Sequence, residues 1–189
     1  GHFLERPAEF SQLVISQYQR DFLHTRFCSM LSSLDYHSAY TENSESSYSL
    51  AGNLYFCMLM KKRMDFTVPQ SYYIGLLEVP YHFFEDYDIE GKFQYLELNL
   101  SSKIIKQEVI RLLPGERRKD VLYDLLYACK RYRLNEGKDT AISYCKLDSV
   151  AIYKRKLALE YLFEVFGSQV IIDSIIPISD DSLFEAIVS

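Results

Sequence analysis

Apolar residues recur with two different periods along this 189-residue chain, and the order of the two periods limits the folds it can adopt. Over residues 8–34 they recur mostly at steps of three and four, which is the period of an amphipathic helix. Over residues 92–100, leucines alternate with aromatic and polar residues, which is the period of a β-strand. The sequence therefore predicts a chain that contains both helices and strands.

Four further segments are predicted as strands, namely 53–62, 72–79, 140–147 and 170–178. The apolar run 53–62 could also be a short helix, and a strand is favoured there because aromatic residues crowd it. Helical spacing predicts helices over 103–113, 116–134, 149–166 and 180–188. This order predicts the α/β (α+β) class, with a central mixed, mostly antiparallel sheet flanked by helices. Because the chain is too short for two sizeable cores, residues 1–189 are predicted to form one domain, with a flexible start over 1–7 and a mobile loop over 35–49.

The net charge of −5 is unevenly distributed along the chain. Residues 103–156 hold 14 Lys and Arg against 7 Asp and Glu, and no basic residue follows Lys156. A basic segment within an acidic chain predicts a local anion site, although solvated helix faces would give the same pattern. The acidic remainder argues against a nucleic-acid partner.

The sequence contains no signature of a metal site, a tightly bound cofactor or a membrane span. The four cysteines and four histidines show no metal-ligand spacing, so no metal site is expected. No GxSxG, P-loop or GxGxxG motif is present, and no tightly bound cofactor is expected. Scattered cysteines among apolar neighbours favour buried thiols and a cytoplasmic location. No stretch of about 18 apolar residues is present, so no membrane span is predicted.

The first candidate site is the start of the helix predicted after Gly115. Arg117, Arg118 and Lys119 stand where unpaired backbone N–H groups and the helix dipole favour an anion such as a phosphate. The alternative is that the arginines point into solvent or pair with Glu116 and Asp120.

Two further candidates carry acid–base groups. Glu97 lies in the predicted strand 92–100 with Asn99 two residues later. It could act as a general base or orient a substrate ammonium, or it could be an edge charge that faces water. Tyr153 lies at the start of a predicted helix, where its phenol could protonate a leaving thiolate. In a chain with 16 tyrosines it could equally be a half-buried packing residue.

The order of these elements is similar to that of the GNAT acyltransferase superfamily. Residues 90–102, Glu-Gly-Lys-Phe-Gln-Tyr-Leu-Glu-Leu-Asn-Leu-Ser-Ser, resemble the Glu-containing strand of acyl-homoserine lactone synthases, and residues 118–128 resemble the helix that follows it. Residues 135–156 resemble the later half of that fold. The family's Arg after this strand and its usual Trp are absent, so the resemblance is to a divergent, LuxM/AinS-like autoinducer synthase.

The resemblance implies an N-acyltransferase. A fatty acyl thioester, carried by acyl carrier protein or coenzyme A, would lie between splayed strands, where the amine of S-adenosylmethionine or another amino acid would attack it. Glu97 would take the amine proton, with Asn99 and Tyr153 beside the reaction. The backbone N–H near Leu100 would hold the oxyanion.

The same resemblance implies how the acyl donor is held. Its phosphate, or the acidic carrier protein, would contact the basic residues Arg117, Arg118 and Lys119. Its acyl chain would run along the aromatic residues Phe56, Phe93 and Tyr95.

The competing hypothesis is a non-catalytic protein-interaction or effector domain. With 16 Tyr and 12 Phe, the chain has enough aromatic residues to form a tyrosine-rich binding face. The missing family residues favour this alternative.

Overall fold

The computed structural model describes residues 16–33, 68–83, 88–178 and residue 183. In these ranges the chain forms helices joined by turns, and it contains no strand. The predicted α/β class with a central sheet is therefore wrong, because the described part of the chain is all-helical. The chain divides into two compact units, residues 1–79 with 83–85, and residues 80–82 with 86–189.

The first unit contains two described helices, α1 (Gln17–Ser33) and α2 (Gln70–Gly75), and the 3₁₀ turn Leu76–Glu78. The second unit contains six helices in its described part. They are α3 (Ile89–Glu97), α4 (Ser102–Leu112), α5 (Lys119–Tyr132), α6 (Lys138–Cys145), α7 (Ile152–Phe166) and α8 (Ser168–Ser174). Two further 3₁₀ turns are Tyr81–Phe83 and Ile176–Ile178.

In the first unit a helix is confirmed over Gln17–Ser33, but Tyr18 and Phe22, which stand in its predicted apolar stripe, are 80% and 56% exposed. The predicted strand 72–79 is wrong, because this segment continues α2 into a 3₁₀ turn. Its buried side chains are Tyr72, Tyr73, Leu76 and Leu77, a spacing that fits one face of a helix and not one face of a strand. The predicted loop 35–49, the predicted strand 53–62 and Phe56 lie outside the described residues.

The predicted strand 92–100 is wrong, because most of it forms α3. The Asp88 side chain caps this helix by accepting a hydrogen bond of 2.7 Å from the Gly91 N–H. Phe93 and Leu96 are buried one turn apart, whereas Leu98 is 83% exposed. The alternating leucines therefore do not share a face, and the burial has the period of a helix.

The predicted strands 140–147 and 170–178 are also wrong, since they are occupied by α6 and α8. In α6, Ala141, Tyr144 and Cys145 are buried at helical spacing. The predicted helices 103–113, 116–134 and 149–166 are confirmed as α4, α5 and α7. Of the predicted helix 180–188, only Leu183 is described, and it is buried.

The core of the second unit lies around α7, which packs against α5, α6 and α8. The turn between α5 and α6 places Gly137 against this core. A Cβ at Gly137 would lie 2.7 Å from the Cys129 sulfur and 2.9 Å from the Tyr161 hydroxyl, so only glycine allows this approach. The described helices include none that is both long and apolar enough to cross a membrane.

Candidate functional site

The predicted general base, Glu97, is the last residue of α3 and joins this helix to the end of α5. Its carboxylate accepts two hydrogen bonds of 2.8 Å from the Arg131 guanidinium and one of 2.7 Å from the Tyr132 hydroxyl. The Arg131 hydrogen bond holds the pKa of Glu97 below its usual value. Asn99 donates its side-chain amide to the Tyr95 carbonyl at 2.8 Å.

The predicted oxyanion donor and tunnel residues belong to the same helix. The Leu100 N–H donates to the Leu96 carbonyl at 2.8 Å, so it closes the end of α3. The Phe93 ring is fully buried with its centroid 5.3 Å from that of Tyr127, and Tyr95 is half-buried. These contacts make Phe93 part of the packing between α3 and α5.

The predicted phosphate site at the start of α5 holds the chain's own carboxylate. Buried Glu116 accepts hydrogen bonds from the backbone N–H groups of Arg117 and Arg118 at 2.8 and 2.7 Å. The Arg118 guanidinium also donates to both carboxylate oxygens, at 2.9 and 2.6 Å. Burial would raise the pKa of Glu116, but these hydrogen bonds more than offset it and the pKa is lowered. Lys119 begins the helix, and its carbonyl accepts from the Tyr144 hydroxyl.

The two halves of the predicted active site lie at opposite ends of α5. Glu97 contacts residues at the end of the helix, whereas Glu116 and Arg118 lie at its start. A 14-residue helix is roughly 20 Å long. Tyr153 lies with the start of α5, so the structure separates it from Glu97 as well.

Tyr153 belongs to a group of aromatic and charged side chains at the start of α5 and α7, which we call the tyrosine cluster. It comprises Tyr81, Tyr123 and Tyr153 with the Asp120–Lys154 ion pair. The Lys154 ammonium lies 5.9 Å from the Tyr123 ring centroid and 5.8 Å from that of Tyr153. The Tyr81 and Tyr123 centroids are 5.9 Å apart. Tyr153 is 59% exposed, and the other two rings are half-buried.

A fully buried ion pair lies next to the tyrosine cluster and fixes its position. The Lys92 ammonium donates to Asp124 Oδ2 at 2.7 Å, and the Tyr81 N–H donates to the same oxygen at 2.8 Å. Asp124 Oδ1 has no hydrogen-bond partner among the described residues. The pair therefore ties α3 and the Tyr81 turn to α5. Burial raises the pKa of Asp124 to about 6, although Lys92 opposes the shift.

The charge states in the cluster suit binding more than proton transfer. Burial raises the pKa of Tyr123 to about 12 and also raises that of Tyr81, so both phenols are neutral donors at pH 7. Burial lowers the pKa of neighbouring His82, which keeps the imidazole neutral at that pH. Burial would also lower the pKa of Lys154, but the hydrogen bond to Asp120 raises it and keeps the ammonium charged.

The sequence analysis singled out one member of this cluster, Tyr153. It missed Tyr81, Tyr123 and the buried Lys92–Asp124 pair. It considered Asp120 only as a partner of Arg117 or Arg118, whereas Asp120 pairs with Lys154. One available signal was Asp124, a charged residue that lies between apolar neighbours inside the predicted helix 116–134.

The described ranges hold no metal-binding group, and the two fully buried cysteines there are not activated. No group of three or more His, Cys, Asp or Glu side chains lies close enough there to hold a metal ion. Cys129 and Cys145 are buried free thiols, and burial raises the pKa of each to about 12. Neither sulfur is therefore an activated nucleophile.

Comparisons with known proteins add no relative. No protein-family model, no curated protein and no solved structure matches this chain. Any assignment of function therefore rests on the described residues.

Proposed function

We propose that this chain is a helical protein-interaction module and that its partner binds at the tyrosine cluster. The observation that carries the proposal is that the exposed Tyr153 ring and the half-buried Tyr123 ring both lie against the Lys154 ammonium, at 5.8 and 5.9 Å, with the Tyr81 ring next to Tyr123. Tyrosine provides a large contact area with few rotatable bonds, and it is enriched among the residues that dominate binding energy.

The support beneath the cluster favours tight binding. Tyr123 lies on α5 and Tyr153 on α7, two helices that pack against each other. The Tyr81 backbone is held by the buried carboxylate of Asp124. Because these elements are held before a partner arrives, little conformational entropy is lost on association.

The chemistry of the cluster indicates what its partner presents. The neutral phenols offer hydroxyl donors and apolar ring faces, and the only charged side chains in the cluster, Lys154 and Asp120, already pair with each other. A partner surface with an apolar or aromatic side chain and nearby carbonyl acceptors is complementary to this arrangement. A highly charged partner is not.

The acyltransferase hypothesis stays a prediction. Its catalytic roles were assigned to a gap between strands, and in the described residues the corresponding segment is the helix α3. Glu97 there is held by Arg131 and Tyr132. No observation favours this hypothesis over the binding module. Thermal stabilisation of the chain by acyl-coenzyme A, acyl carrier protein or S-adenosylmethionine would support the acyltransferase hypothesis.

Site-specific photo-cross-linking tests the binding module. A benzophenone amino acid is placed at Tyr153 and, as a matched control, at Tyr18, an 80% exposed tyrosine of the first unit. We expect position 153 to cross-link one partner in cells that express the chain naturally, and position 18 to leave that partner unlinked.

A competition experiment distinguishes binding at the tyrosine cluster from cross-linking by chance proximity. Excess unmodified chain should suppress the cross-link from position 153, whereas excess chain carrying Tyr153→Ala should not. Equal cross-linking from positions 153 and 18, or equal suppression by both competitors, would contradict the proposal.

A further inference from the structure

The second unit carries, besides the tyrosine cluster, an apolar groove formed by α7, α8 and the 3₁₀ turn after α8. Its volume is about 370 Å³, which lies within the range of small-molecule sites, about 300–1,000 Å³. Five apolar side chains and three polar ones line it: Leu159, Phe163, Ile171, Ile172, Ile176, Lys156, Glu160 and Ser168. None of these residues takes part in the tyrosine cluster.

The apolar lining of this groove is open to solvent. Phe163, Ile172 and Ile176 are 59%, 51% and 40% exposed. Single exposed apolar residues are common on proteins, but three that line one groove indicate a binding site.

The two charged side chains that line the groove differ in whether they form an ion pair. Glu160 accepts a hydrogen bond of 2.5 Å from Lys130, which also lies 3.0 Å from Glu164, so one ammonium is shared by two carboxylates. Lys156 forms no ion pair with any described residue. Because no Lys or Arg follows Lys156 in the sequence, neither α8 nor the turn after it adds a cation.

The unpaired cation stands at one end of the lining that α7 supplies. From Lys156 to Phe163 the helix rises roughly 10 Å, with Leu159 between them on the lining face. A ligand that follows α7 therefore meets the Lys156 ammonium at one end and then the apolar side chains of Leu159 and Phe163, with the Glu160 carboxylate also in the lining.

We infer that this groove binds the anion of a free medium-chain fatty acid, with the alkyl chain along Phe163 and Ile172 and the carboxylate at Lys156. The inference is independent of the proposal for the tyrosine cluster, since it uses other residues. An anionic membrane is a poorer match, because residues 157–189 contain six Asp and Glu and no basic residue.

Calorimetric titration of the full chain with octanoate and decanoate, each below its micelle concentration, tests the alkyl part of this inference. We expect saturable binding of one molecule per chain, about 15-fold tighter for decanoate because it buries two more methylene groups. Ile172→Glu should weaken decanoate at least tenfold, and Leu98→Glu, which puts the same charge at an exposed leucine outside the groove, should leave it unchanged. Circular dichroism confirms that both variants fold.

Decanol, which has the same alkyl chain and no charge, tests the carboxylate part. Lys156→Gln should weaken decanoate by up to about fivefold, the size of an exposed ion pair, and leave decanol unchanged. Equal weakening of both ligands would overturn the role of Lys156.

Three other outcomes would overturn the site itself. They are the absence of saturable binding, unchanged binding in Ile172→Glu, and a dimer that this variant converts to a monomer. The last would mean that a second copy of the chain covers the groove.

Discussion

Removal of one partner from the buried Lys92–Asp124 pair should destabilise the second unit strongly. Both side chains are fully buried, so Lys92→Met leaves an uncompensated carboxylate and Asp124→Asn leaves an uncompensated ammonium in the interior. Such losses typically cost about 3–5 kcal/mol, a large fraction of the roughly 5–15 kcal/mol of stability usual for a folded domain.

The double variant Lys92→Met/Asp124→Asn should be much less destabilised than the sum of the single variants. It removes both buried charges and keeps an oxygen that can accept from the Tyr81 N–H. The remaining cost, about 1–3 kcal/mol, comes from the new amide N–H groups, which take the place of the unpartnered Asp124 Oδ1.

Urea unfolding followed by circular dichroism at 222 nm measures these free energies, and Arg111→Met is the control. Arg111 forms an exposed ion pair with Glu108, so its loss should cost no more than about 1 kcal/mol. If either buried single variant costs no more than this control, or if the single costs simply add in the double variant, the account of the pair is refuted.

Three further predictions concern packing, acid sensitivity and thiol reactivity. Gly137→Ala should cost about 1–3 kcal/mol in thermal unfolding because its Cβ would meet the Cys129 sulfur, whereas Gly115→Ala, which meets no atom within 4 Å, should cost at most about 0.5 kcal/mol; equal losses would contradict this packing. Because the pKa of Glu97 is lowered from 4.5, its stabilisation is present above pH 4.5 and is lost as the pH falls through the folded value, so Glu97→Gln should be less stable than wild type at pH 7 and equally stable near pH 2. A difference that persists at pH 2 would exclude this ionisation as the cause. Cys129 and Cys145 should react with a thiol reagent, mapped by mass spectrometry, only after urea is added; rapid labelling in the native protein would argue against their burial.

In the second unit the longest helices could be predicted from the sequence because their apolar residues repeat over several turns. In α5, Val121, Leu125, Leu126 and Cys129 are buried at the spacing that the sequence analysis used. Short segments were less certain, since a run of eight residues can match either period by chance. Leu98 illustrates the error, because it completes an alternating pattern and yet lies exposed at the end of α3.

The candidate site was harder to predict from the sequence than the helices were. The two members of the buried pair are 32 residues apart, and Asp120 and Lys154 are 34 residues apart. No local pattern joins residues at such distances, so only the packing of α3 and α7 against α5 brings them together. For the basic residues at the start of α5, the sequence left a phosphate site and pairing with Glu116 both open, and the structure shows the pairing for Arg118.

The affinity of the partner identified by cross-linking tests the central claim most directly, because it measures the contribution of the exposed ring itself. Tyr153→Ala should raise the Kd at least about 30-fold, the effect of a binding hot spot of about 2 kcal/mol. Tyr18→Ala, which truncates an exposed tyrosine outside the cluster, should leave the Kd within about twofold. A Kd that changes equally in both variants, or in neither, would contradict the assignment of the tyrosine cluster as the binding surface.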